Sequence, residues 1–151
     1  MEGELNFSDV EVPDHLPRLD WGSHRRGGSK VCAMEAAAWL AGERWSDHPR
    51  SVHSVIMRVA RTVNDGVSDD VRQTLWPLIL ASLDTARPRH PVLNMRLSRY
   101  AEKALAEAAP YEDLPKVWTA VLDEHARLYG ERSSSVSASR LQSLARHLKA
   151  R

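Results

Sequence analysis

Cys32, Glu35, Asp47, His48 and His53 are the residues of this chain whose types and spacing can do chemistry. They lie within "CAMEAAAWLAGERWSDHPRSVH", which holds the only cysteine. Ser29 is a good N-cap, and the spacing predicts a helix from there to about Ala41. Cys32 would then sit in the first turn, where unpaired backbone N–H groups favour a thiolate. Lys30, Arg25 and Arg26 add positive potential nearby in sequence. Glu35 follows one turn along the same face. If the next helix folds back on the first, an imidazole reaches the thiol. Cys32 as nucleophile, His48 as base and Glu35 or Asp47 as orienter is the logic of a thiol-dependent hydrolase or transferase.

Other readings of the same residues compete. Free cysteine is among the most buried residue types and behaves as a small hydrophobe. An Asp ahead of a helix is an expected cap. Cys32, His48 and His53 with Glu35 or Asp47 are enough ligands for zinc, but their spacing matches no zinc module, and no metal or other cofactor is expected. "RRGGSK" brings two glycines to a helix start without the Gly and Lys-Ser/Thr spacing of a phosphate loop. The thiol enzyme is therefore the alternative reading and not the leading one.

The elements that must position these residues are helical. The apolar set Val52, Val55, Ile56, Val59, Ala60 and Val63 forms an amphipathic stripe. Pro49 suits that helix's first turn, with Asp47 or Ser46 as its cap. Ser68, Asp69 and Asp70 open a third helix, which Pro77 should kink or split. Pro91 opens a fourth, with Val92, Met95, Tyr100, Ala104 and Leu105 as its contact positions. A fifth runs from Asp113 and Pro115 to Gly130. A basic amphipathic helix over 131–151 ends the chain, with Val136, Leu141, Leu144 and Leu148 inward. No stretch alternates long enough for a convincing strand. Pro13, Pro17, Gly22, Gly27 and Gly28 make 1–28 an irregular arm, which Leu16, Leu19 and Trp21 can pin to the core.

The expected fold is thus all-α, a single-domain bundle of about six helices: an irregular acidic N-terminal arm over 1–28, a helical core domain over 29–130 and the basic C-terminal helix over 131–151. Its 151 residues, 42% of them hydrophobic, suffice for one core. A net charge of +1 gives no bulk attraction to nucleic acid or membrane. Charge is nevertheless uneven. Residues 1–15 hold Glu2, Glu4, Asp9, Glu11 and Asp14 without a Lys or Arg, and 132–151 hold Arg132, Arg140, Arg146, Lys149 and Arg151 without an acid. The arm can therefore dock on the last helix. A lone cysteine and no apolar leader fit a cytoplasmic protein. The second and third helices resemble a helix-turn-helix, but Asp69 and Asp70 at the reading end would repel phosphates, so no specific DNA binding is expected. Trp21 and Trp45 fall in loops beside Cys32, and tryptophan is enriched at interface hot spots. A non-enzymatic module that binds another protein, or a second copy of itself, is the favoured reading.

Residues 29–80 also carry a resemblance. Cys32 and Glu35, Gly42 and Glu43, Ser46 to Pro49, Asn64 and Asp65, and Pro77 make up a Cys-x-x-Glu, Ala-Gly-Glu, Ser-Asp-His-Pro, Val-Asn-Asp pattern. It resembles that of a family of small uncharacterised proteins encoded by actinobacteria and their phages. The resemblance implies a source and a module, and it implies no reaction.

Overall fold

The computed structural model describes residues 18–26, 29–108 and 113–130. Two strands, β1 (Arg18–Leu19) and β2 (Lys30–Val31), precede six helices: α1 (Ala33–Leu40), α2 (Ser54–Gly66), α3 (Asp69–Arg72), α4 (Trp76–Ser82), α5 (Pro91–Glu107) and α6 (Leu114–Tyr129). Among the described residues the fold is all-α apart from that two-stranded parallel pair. Residues 1–17, with Leu16, and the basic helix expected over 131–151 lie outside the described residues. So does any contact between that arm and that helix.

The stripe on α2 builds the centre. Val55, Ile56, Val59, Ala60 and Val63 are all buried, and α1, α5 and α6 pack against this helix. Met34 of α1, Ile79 of α4, Leu97 of α5 and Trp118 of α6 complete the core. Trp118 is fully buried and its Nε1–H donates to Ser82 Oγ at 2.9 Å, so its one polar atom is satisfied. Pro77 splits the third predicted helix: α3 is capped by Ser68 Oγ, and Pro77 falls in the first turn of α4, where a missing N–H costs nothing. Gly130 closes α6 with φ +73°, a left-handed conformation that glycine adopts without strain.

Four local expectations are corrected. The first helix is capped by Cys32, not Ser29, because Ser29–Val31 pair with β1 instead of coiling. That pair was not expected from the alternation of residues, and its two-residue length explains why. Its outer edge is closed by the Gln73 side chain, which accepts from Leu19 N at 3.0 Å and donates to Leu19 O at 2.7 Å. The second helix starts at Ser54 and not near Pro49. The Glu43 carboxylate accepts the Arg50 and Ser51 N–H groups at 2.5 and 3.0 Å and holds 43–51 as a loop, so His53 becomes the N-cap. On α5 the buried positions are Leu97 and Ala101, while Val92, Met95 and Tyr100, expected as contacts, face outward.

Buried polar side chains tie the elements together. Asn64 accepts from Ala33 N at 3.2 Å and donates to Asp20 O at 2.9 Å, joining the end of α2 to the start of α1. Arg72 donates to Asn64 O and Val67 O at 2.6 and 2.7 Å, which satisfies carbonyls that the end of α2 leaves open.

Candidate functional site

The start of α1 brings Cys32 and Glu35 together as a reciprocal cap. Cys32 Sγ accepts the Glu35 N–H at 3.4 Å, and Glu35 Oε1 accepts the Cys32 N–H at 2.8 Å. The same buried carboxylate accepts the His24 N–H at 2.6 Å and lies 3.0 Å from His24 Nδ1. Trp45 Nε1–H donates to His24 O at 2.9 Å and closes the cluster from the loop side. Glu35 is thus occupied by two backbone N–H groups and the His24 ring.

The thiol is 5% exposed. Burial pushes its pKa up to about 12, helped by the negative charge of Glu35, and the Glu35 N–H offsets only part of that. The helix start that favours a thiolate is therefore outweighed by desolvation.

Asp47 and His48 form a second, exposed group. Asp47 is not a helix cap. It lies at the loop tip, where His48 Nδ1 approaches Oδ1 at 2.5 Å and Arg61 Nη2 stands 3.7 Å from Oδ2. Arg61 Nη1 is 3.1 Å from His48 Nε2. A guanidinium can only donate, so Nε2 accepts and Nδ1–H donates to Asp47. Both nitrogens of His48 are engaged, and neither is left to take a proton from Cys32. A cavity of about 200 Å³ does bring Cys32 and Asp47 to a common wall, with Arg61, Asn64 and Asp65, but His48 does not line it. Of the residues expected to form a nucleophile–base–orienter set, Cys32 and Glu35 come together as a cap, and Asp47 and His48 come together at an arginine-bound loop tip. Among the described residues no three His, Cys, Asp or Glu side chains gather as a metal-binding group.

His53 went elsewhere. Its Nδ1 caps α2 by accepting the Val55 N–H at 3.1 Å, which leaves the proton on Nε2 to be donated to Tyr129 Oη at 3.1 Å. Its ring stands 5.3 Å from that of His125, whose Nε2–H donates to Thr85 O at 2.8 Å. Burial, with His125 and Arg87 adding to it, pushes the His53 imidazole down to about 4.

The other candidate surface is α5, which sequence reasoning placed in the core. Val92, Met95 and Tyr100 are 51, 47 and 38% exposed. Only Trp21, at 66%, is a further large hydrophobic side chain so exposed among the described residues. Arg58 Nη2 donates to Ser98 Oγ at 2.9 Å and steadies the α2 side of this helix. Around the apolar side chains the chain is basic. Residues 85–101 hold Arg87, Arg89, Arg96 and Arg99 and no Asp or Glu. That run was legible in the sequence, and its outward direction was not.

No family model matches the chain, and neither a curated protein nor a solved structure matches it. Among the described residues no helix is long and apolar enough to cross a membrane.

Proposed function

We propose that this chain is a non-enzymatic, cytoplasmic helical module, encoded by an actinobacterium or one of its phages, that regulates a protein partner by binding it on the outer face of α5. One observation carries the reading: three of the four large hydrophobic side chains most exposed among the described residues lie on that one helix. Apolar residues in water at a single face mark an interaction surface. Arg96 and Arg99 beside them give the partner its chemistry, an apolar patch flanked by Asp and Glu. A second copy of the chain would bring arginine against arginine and fits less well.

The test places a photo-crosslinking residue at Met95 and identifies the captured protein by mass. The purified partner is then titrated against the Met95→Glu, Arg99→Glu double variant. Affinity lower by roughly tenfold or more, with an unchanged melting midpoint, supports the reading. Undiminished affinity overturns it. A crosslinked mass of twice the chain replaces the partner by a second copy, and a nucleic-acid adduct removes the protein reading altogether.

A further inference from the structure

A second cavity, of about 480 Å³, opens where the start of α2 meets the start of α5. That volume is within the range of small-molecule sites, roughly 300–1,000 Å³. Its walls include Ser54, Arg87, Arg89, His90, Asn94 and Tyr129, and no Asp or Glu lines it. Two histidines act as caps here in the same way. His53 Nδ1 accepts the Val55 N–H and His90 Nδ1 accepts the Leu93 N–H at 3.2 Å, so each imidazole keeps its proton on Nε2. His53 spends that proton on Tyr129 Oη, which leaves the phenol to donate its own proton onward. Arg87 is anchored at the cavity wall by the Asp84 and Ala86 carbonyls at 2.6 and 2.8 Å. Arg89 is exposed and makes no ion pair with a described residue. Val52, Pro88 and Met95 supply apolar wall. The cavity thus presents donors and positive charge on one side and hydrocarbon on the other.

We infer that this cavity is a binding site for a small organic oxyanion, a carboxylate or phosphate head on a compact apolar body. Arg89 meets the head, the Tyr129 hydroxyl donates to it, and Met95 and Pro88 cover the body. The site is distinct from the partner face in what it binds, and it is tested on the isolated protein.

Phenyl phosphate, benzoate and neutral benzyl alcohol are titrated calorimetrically and by amide chemical shift. Either anion should bind, moving the Ser54 and Asn94 amides, and the tighter of the two assigns the head group. Arg89→Gln should weaken it roughly tenfold. Asn94→Asp is the sharper variant. It puts a carboxylate in the wall while favouring the first turn of α5, so anion binding should fall at least roughly tenfold with the melting midpoint kept or raised. Benzyl alcohol binding as tightly as the anions, anion binding that ignores both variants, or no anion binding at millimolar concentration overturns the inference.

Discussion

The start of α1 and the outer face of α5 differ in a way that inverts what their residues suggest. The first gathers a cysteine, a glutamate and a histidine, the types from which active sites are made. All three are engaged locally: Glu35 takes the N–H groups of Cys32 and His24, the thiol takes that of Glu35, and the His24 ring lies against the Glu35 carboxylate. The second is made of Val92, Met95, Tyr100 and arginines, the types from which cores and solvated faces are made, and it is left open. The α1 cluster spends its hydrogen bonds within the protein, whereas the α5 face leaves apolar side chains exposed. Here the spent site is structural and the open one is the candidate for recognition.

The comparison breaks most readily at Glu35. If its carboxylate is structural, Glu35→Ala leaves the buried Cys32 N–H and the half-buried His24 N–H without an acceptor. The expected loss of stability is on the order of 3–4 kcal/mol, read by urea denaturation. A stable Glu35→Ala protein would mean that the cluster is not what holds β2, α1 and 20–26 together, and a functional role for the carboxylate would return.

The His53 corner gives the next largest effect, and it depends on pH. Its folded pKa of about 4 lies below the ordinary histidine value of 6.5. Between these values the unfolded chain binds a proton that the folded one does not. Stability is therefore complete above about pH 6.5, falls as the pH drops towards 4, and has lost about 2 kcal/mol by pH 5. His53→Asn retains a side chain able to cap α2 but cannot titrate. It should be less stable at pH 7, with a flatter profile between pH 7 and 5 in denaturation series. An unchanged slope would place the proton uptake at another residue.

Much of the fold was legible because its signals are local. The α2 stripe, the Ser68 cap, the split at Pro77, the Pro91 start and the Gly130 stop each depend on residues a turn or two apart. The start of α2 was not, because Glu43 reaches across the loop to hold Arg50 and Ser51 and outcompetes the local Asp47–Pro49 signal. The site was legible only in part. Burial of Cys32 follows from its apolar neighbours, whereas the engagement of His48 by Arg61 needs the tertiary fold. The face of α5 misled for a plain reason. Val92, Met95 and Tyr100 at helical spacing look the same whether they meet a core or await a partner.

Cys32 gives a smaller effect that sharpens the structural reading. Cys32→Ala removes the cap and should cost about 1 kcal/mol, while Cys32→Ser keeps an acceptor for the Glu35 N–H and should cost less. Iodoacetamide should label the native thiol slowly at neutral pH, since burial raises its pKa to about 12. Rapid labelling with a midpoint near pH 7 would reopen the thiol chemistry.

The smallest effect is the most telling for α5. A core methionine cut to alanine costs on the order of 2–5 kcal/mol, because a cavity remains. Met95 is 47% exposed, so Met95→Ala has little cavity to leave and should shift stability by no more than about 0.5 kcal/mol. Leu97, fully buried two residues on, provides the internal control, and Leu97→Ala should fall in the core range. Equal losses for the two variants would place Met95 inside after all, and the outer face of α5 would then be another part of the core. A near-silent Met95→Ala beside a costly Leu97→Ala separates the stripe that folds this helix from the one that folding leaves uncovered.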